Sequence, residues 1–392
     1  MQVRQEIFDT YWRFAAMRQE VFFNKLKNVP PPWTSDPILN TYKFCNAYRV
    51  SDRVSQYLVK NIIYDHNRSQ NEEEVLFRIL LFKIFNKIET WEYLEDKIGD
   101  YITLSNFNLD TYSHVLQDAM NIGYVIYTSA YMSCASKEFG YDKKHQNHLA
   151  LIDKMVFQDR VINSIVKAKS LEDVFNIIES YPLLGKFMAY QLATDINYSE
   201  VVNFDENSFT IAGPGAERGI NKCFIDTHGK SYADVIYWMT ENQENEFQRL
   251  GLNFQSLWDR PLKAIDCQNL FCETDKYCRE AFPDLKSNRK KIKAKFTPTR
   301  QPIDYFYPPK WGINNQVQET LAQRLPTLEI NNLPDNFQQL SLEFGSLINT
   351  TSEHLDNLSN LRRKHQCNKN NKKSQPPEDQ HTKQSIQMCL FS

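Results

Sequence analysis

The sequence predicts an all-α fold with a disordered C-terminal tail, on three observations. Nine stretches carry apolar residues at three-to-four spacing, the pattern of amphipathic helices. No stretch alternates polar and apolar residues strongly enough to compete as a strand. Glycine is scarce, 11 in 392 residues, against an average usage of roughly 7%, which disfavours a glycine-turned β sandwich.

The predicted helices span 5–27, 41–63, 72–96, 111–139, 149–167, 171–180, 184–196, 229–249 and 264–281. Pro30, Pro31 and Pro32 separate the first from the second, because proline cannot continue a helix and restrains the residue before it. Within the fourth, the uncharged run 119–136 carries Asn121, Thr128, Ser129, Ser133 and three tyrosines, and reads as a buried helix rather than a membrane span. Ser170 with Glu172 begins the sixth as a capped helix. Gly185 begins the seventh after a short turn, so the sixth and seventh form a helical hairpin.

From about residue 286 the composition changes. A basic strip leads into the connector TRQPIDYFYPPKW, then weak helical patterns run to 363. Residues 364–392, rich in Asn, Lys, Gln and Pro, cannot repay the entropy of ordering. The expected organisation is a helical domain over 1–300, an extension over 301–363 and a tail over 364–392.

With 41% apolar residues the chain can bury a sizeable core, and a formal charge of −2 makes any nucleic-acid contact a matter of local clustering. The eight cysteines, at 45, 134, 223, 267, 272, 278, 367 and 389, form no CxxC pair. They fit a reduced cytosolic or nuclear protein without disulfides, and a cytoplasmic location is expected. The N-terminus MQVRQEIFDTYWRF has no apolar core of a signal peptide.

The stretch YPLLGKFMAYQLATDINYSEVVNFDE, Tyr181 to Glu206, sets one glycine between two helices and an acid twenty residues on. Free N–H groups at a helix start bind anions, so Gly185 and Lys186 are candidate phosphate contacts. The spacing from Gly185 to Asp205 resembles the helix-hairpin-helix and following aspartate of the endonuclease III superfamily of DNA glycosylases. Leu183 replaces that hairpin's first glycine, and Phe187 stands where bifunctional members carry a Schiff-base lysine. The resemblance implies a monofunctional site with Asp205 as its carboxylate. Gly185 as an ordinary helix start and Asp205 as a loop cap is the competing reading.

The pieces YWRFAAMRQEVFFNKL, PWTSDPILNTYKFCNAYRVSDRVSQYLV, LFRILLFKIFNKIETWE, GPGAERGINKCF and QNLFCETDKYCRE, in order over about 8–300, resemble the α-glutamyl/putrescinyl thymine pyrophosphorylase superfamily. That superfamily includes the helical domain of phage 5-hydroxymethyl-deoxyuridine DNA kinases. The resemblance implies a helix-hairpin-helix, DNA-glycosylase-like helical fold acting on modified bases in DNA, and extends to anti-phage glycosylases of glucosylated hydroxymethylcytosine. The chain contains no GxxxxGK[ST] phosphate loop, which disfavours direct kinase activity. GPGAERG, Gly213 to Gly219, reads as a phosphate wrap or a plain turn.

Two further clusters bear on DNA. Asn46, Arg49, Arg53 and Gln56 fall at offsets 0, 3, 7 and 10, one stripe of a predicted helix. With Trp12 and neighbouring aromatics at 11–14 and 41–48 they are the expected base pocket, a solvated face paired through Asp52 being the alternative. Arg13 and Arg18 carry the same ambiguity. KSNRKKIKAKFTPTR packs Lys286, Arg289, Lys290, Lys291, Lys293, Lys295 and Arg300 into fifteen residues, a strip expected to follow a DNA backbone rather than serve as a soluble linker.

Other motifs are set aside. His145 and His148, three apart, lack a third ligand and are expected in a surface loop, so no metal is expected. Asp226 to Gly229, IDTHG, stands at the wrong distance from Gly185 for a glycosylase acid. Cys267, Cys272 and Cys278 read as buried helix cysteines. The terminal CLFS fits a prenylation box, which matters only in a eukaryotic host.

The expected function is monofunctional, cofactor-free excision of a hypermodified pyrimidine from double-stranded DNA carrying modified bases. The alternatives are transfer of an amino acid or polyamine onto an activated base, and non-catalytic reading of modified DNA.

Overall fold

The computed structural model describes residues 1–128, 136–285, 292, 294–296 and 303–324, which belong to one compact unit. The expected tail over 364–392, most of the extension before it and the terminal CLFS lie outside the described residues.

The fold is mostly helical, as the periodicity predicts. A short strand β1 (Gln2–Val3) precedes α1 (Gln5–Leu26), α2 (Pro37–Thr41), α3 (Arg53–Tyr57), α4 (Glu72–Phe85), α5 (Ile88–Ile98) and α6 (Leu109–Asn121). Then come α7 (Lys144–Asp153), α8 (Ile162–Ile165), α9 (Leu171–Glu179), α10 (Lys186–Asn197) and α11 (Pro214–Cys223). Strand β2 (Phe224–Asp226), α12 (Tyr232–Arg249), α13 (Ala264–Ala281) and α14 (Asn314–Ala322) complete the described chain. β1 and β2 pair antiparallel, Val3 opposite Phe224, and tie the N-terminus to the end of α11. Among the described residues no helix is long and apolar enough to cross a membrane.

α4 shows how the sequence places the core. Asn71 caps it by accepting from Glu73 N, and three glutamates in its first turn favour the positive end of the helix dipole. Every residue from Val75 to Phe85 is buried, so the helix is surrounded on all sides. It ends where Asn86 takes a left-handed conformation, φ 47°, which splits the predicted 72–96 helix into α4 and α5.

The predicted 41–63 helix does not form as one element. Polar side chains here bond the backbone in place of a helical ladder: Asp52 Oδ1 accepts Asn46 N at 2.8 Å, Asn46 Nδ2 donates to Ser51 O at 2.7 Å, and Gln56 Nε2 donates to Val50 O at 2.9 Å. The result is an extended run, a 3₁₀ turn over Arg49–Ser51, then α3 passing into a π-helical stretch, Leu58–Ile63. The 111–139 helix likewise stops at Asn121, with Gly123 at φ 84° just beyond.

The hairpin is present. Ser170 Oγ caps α9 by accepting Asp173 N at 3.0 Å, and α10 begins after Gly185. Between them Leu183, not a glycine, occupies the left-handed region at φ 67°. Its neighbour Leu184 is buried, which anchors the turn.

Gly213 to Gly219 is neither a phosphate wrap nor a plain turn. Gly213 caps α11, and a Cβ there would meet the Phe187 ring at 2.5 Å. Gly215 and Gly219 face α13, where a Cβ would come within 2.2 Å of Cys272 Sγ and 2.0 Å of Phe271 O. The glycines let two helices pack backbone to backbone.

Residues 303–324 pack on the same unit. Tyr305, Tyr307, Ile313 and Val317 are buried, Tyr307 Oη lies 3.0 Å from Ser51 Oγ, and Gln56 Oε1 accepts Phe306 N at 2.8 Å.

A candidate active-site cleft at the end of the hairpin

At its C-terminal end α10 opens onto a cleft of about 180 Å³, bounded by Asn197, the loop 203–206, Arg260, Lys263, Lys310 and Trp311. Asn197 shapes the loop by clamping the backbone of Phe204, donating to its O at 3.0 Å and accepting its N at 2.9 Å. That clamp brings Asp205 and Glu206 to the rim. Asp205 is exposed, and its Oδ1 accepts Asn207 N at 3.0 Å in a local turn. Asn207 in turn caps α13 by accepting Ala264 N at 3.0 Å.

The opposite wall is cationic and aromatic. Arg260 pairs with Glu206 and lies over the Trp311 ring, Cζ 3.6 Å from its centre. Lys310 Nζ donates to Ser199 O at 2.6 Å and Val202 O at 2.8 Å. Burial lowers its pKa, with Glu200 and Glu206 opposing.

Beneath the cleft is a chain of buried charges. Tyr198 packs edge-on to Trp311, and its hydroxyl lies 3.4 Å from Arg49 Nη1. Arg49 also donates to Gln191 Oε1 at 2.8 Å and pairs with Asp195 at 2.7 Å, while Lys83 reaches the other oxygen of Asp195 at 2.7 Å. Burial, reinforced by Arg49, pushes the Lys83 ammonium down to about 8 against the pull of Asp195. Asp266 accepts Arg49 N at 2.9 Å and Lys263 N at 3.1 Å, and burial raises its carboxyl to about 7 despite those two N–H groups.

The structure distributes the residues singled out in sequence unevenly. Asp205 lines the cleft. Gly185 and Lys186 are exposed at the other end of α10, twelve residues away, or about 18 Å at 1.5 Å per residue. Phe187 lies at the hairpin end of α10, where a Cβ on Gly213 would meet its ring.

The expected base pocket is not assembled. Trp12 is 0% exposed, boxed in by Phe8, Tyr11 and Phe247, and offers no face for stacking. Asn46 and Gln56 bond the backbone, Arg49 is consumed by the buried ion pairs, and Arg53 is an exposed partner of Glu89 at 2.6 Å. Arg53 and Gln56 share α3, but Arg49 lies in the 3₁₀ turn and Asn46 in the extended run before it, because the helix that would have aligned all four does not form. Arg289, Lys290, Lys291 and Lys293 lie outside the described residues.

His145 and His148 are not in a surface loop. Both are buried on α7, His148 Nδ1 2.8 Å from Tyr127 Oη and His145 Nε2 3.4 Å from Ser113 Oγ. Cys267 and Cys278 are buried on α13, Cys272 partly so.

Sequence reasoning missed Arg260, Lys263, Lys310 and Trp311. The last two stand in a stretch read as a connector, where the density of proline and aromatic side chains was the available sign of packing. Lys83 and Asp195 were also missed, although a charge inside an apolar helix demands a partner.

The model of the family described as 5-hmdU DNA kinase, helical domain, matches residues 5–287. The chain belongs to this family. Over 293 residues it is 26% identical to a protein named 5-hmdU DNA kinase from Bacillus phage SP10, an alignment covering 70% of this chain and 45% of that relative. The chain thus spans less than half of the relative's length. No solved structure matches. The 5-hmdU DNA kinase helical-domain match covers α1 to α13, and with them Asn197, Asp205, Glu206, Arg260 and Lys263. Lys310 and Trp311, the other wall of the cleft, lie beyond it.

Proposed function

We propose that this chain processes a modified pyrimidine in DNA, and that it removes the base with water to leave an intact strand carrying an abasic site. Family membership supports the substrate class. The observation that carries the chemistry is the exposed carboxylate of Asp205 on a cleft shared with Arg260, Lys263, Lys310 and Trp311.

Breaking the N-glycosidic bond develops positive charge on the sugar, which a fixed carboxylate stabilises while it orients water. The bond between C1′ and the base breaks, the hydroxyl of water adds to C1′, and the departing base takes up the proton. The target must leave the stack to reach Asp205, and the wall formed by Trp311 and the guanidinium of Arg260 is the surface it would rest against. The cleft is smaller than the roughly 300–1,000 Å³ of drug-sized pockets. It therefore suits a pyrimidine ring, with a bulky substituent such as the glucosylated hydroxymethyl group of phage DNA at the open mouth. On this reading the protein acts against invading DNA, as do the anti-phage glycosylases its sequence resembles.

The coverage of the phage relative favours a second reading, in which this chain only recognises modified DNA and the chemistry belongs to another part or partner. The transferase reading, attachment of an amino acid or polyamine to an activated base, is compatible with the same superfamily.

One experiment separates the three. The protein is incubated with glucosylated, hydroxymethylated and plain DNA and with labelled amino acid and polyamine, and both small molecules and DNA are examined by mass spectrometry. Release of free modified base is expected; label entering the DNA would establish transfer, and binding without either product would leave a reader.

A further inference from the structure

α1 carries two cations that form no salt bridge among the described residues: Asp52 and Glu273 act on Arg18 only through space, and Lys25 has no carboxylate near it. Arg18 is 8% exposed; its Nε donates to Cys45 O at 2.9 Å and its Nη2 to Phe44 O at 3.4 Å, while Nη1 is buried without a hydrogen-bond partner. Two helical turns on, Lys25 Nζ lies 4.6 Å from the centre of the Trp33 ring and 4.5 Å from that of Phe296. Burial, then the charge of Arg18, pushes the Lys25 ammonium down to about 8. Among the described residues Lys25 has no carboxylate partner.

Arg18, Lys25, Trp33, Tyr42 and Phe296 line one cavity of about 20 Å³. That is room for about one water-sized atom, too little for a base but enough for one oxygen whose parent group stays at the mouth. Residues 294–296 pass here: Lys43 N donates to Ala294 O and Phe296 N to Thr41 O, both at 3.0 Å, which sets exposed Lys295 beside Tyr42. An unused guanidinium donor and an ammonium without a carboxylate, both lining one cavity, are stabilised by a bound anion, and the aromatic walls supply only part of that.

We infer that the cavity between α1 and α2 receives one phosphodiester oxygen of a DNA strand, held by Arg18 and Lys25, with exposed Lys295 beside its mouth. The inference rests on DNA being the partner and on no chemistry at Asp205, so it is tested on plain duplex without base release.

Lys25→Gln is expected to lower the slope of log affinity against log salt by about 0.9, the value for one phosphate contact, and Lys25→Arg to restore it. An unchanged slope in a Lys25→Gln protein that melts like the wild type would overturn the inference. Arg18 is left intact because its guanidinium also holds the backbone of Phe44 and Cys45. Should Lys25→Gln fail to fold, the native chain gives the same answer by amine labelling at pH 8. DNA is expected to protect Lys25 several-fold, and inorganic phosphate at matched ionic strength to protect it far less. No protection by DNA, or equal protection by phosphate, would reject a DNA phosphodiester as the ligand.

Discussion

Glu206 is held by Arg260, whose guanidinium is at the same time stacked on Trp311. Of the two adjacent acids on the cleft rim, one is therefore committed to a cation. The other, Asp205, has only the backbone N–H of Asn207 and stays open to solvent.

Asp205→Asn is accordingly expected to abolish base release while leaving DNA affinity within a few-fold, since it removes a charge with little change of shape. Single-turnover release and equilibrium binding on the same duplex check it. Near-normal turnover would pass the role to Glu206, the other acid on the cleft.

With water as the nucleophile, borohydride should trap no covalent protein–DNA adduct, and the strand should break only after alkali or heat. The amines to watch are those on the cleft, Lys263 and Lys310, not Lys186 at the opposite end of α10. A trapped adduct that vanishes in Lys263→Ala or Lys310→Ala would establish a Schiff-base mechanism.

Asp195 is shared by Arg49 and Lys83 with all three side chains almost wholly buried. Asp195→Asn strands two cations and is expected to cost about 3–5 kcal/mol in denaturant unfolding. Lys83→Met, which leaves the Arg49 pair in place, should cost clearly less.

Two glycines make a matched test of packing. Gly219→Ala would place a Cβ against the Phe271 carbonyl and must push α11 from α13, an expected loss of about 1–3 kcal/mol. Gly185→Ala meets nothing within 4 Å and keeps an ordinary φ of −73°, so its melting temperature should stay close to that of the wild type.

Asp266 has a pH signature. Burial raises its carboxyl from 3.8 to about 7, so between those values the folded chain holds a proton that the unfolded chain has released. Its contribution is fully present at low pH and is lost as pH rises toward about 7. Unfolding in denaturant at pH 4.5 and pH 7.5 should show the difference between wild type and Asp266→Asn shifting in that sense.

The helical class and most helix positions were legible in the sequence because they depend on local periodicity. α9, α10 and α13 begin and end within two residues of the predicted bounds, and the cap at Ser170 follows from its own side chain. The hairpin turn was legible from Gly185. What followed that helix was not. Whether Asp205 would end near Gly185 or at the far end of α10 depends on how tightly the loop is clamped, and Asn197 decided it through two hydrogen bonds to Phe204. The stripe from Asn46 to Gln56 had the right period, but Asn46, Asp52 and Gln56 spent their polar groups on nearby backbone, an option that periodicity does not weigh. Arg260, Lys310 and Trp311 reach the cleft from segments more than fifty residues from Asp205. Only tertiary packing brings them there, because the energy that holds them, an ion pair, two carbonyl contacts and a cation over a ring, exists between elements and leaves no trace in local sequence.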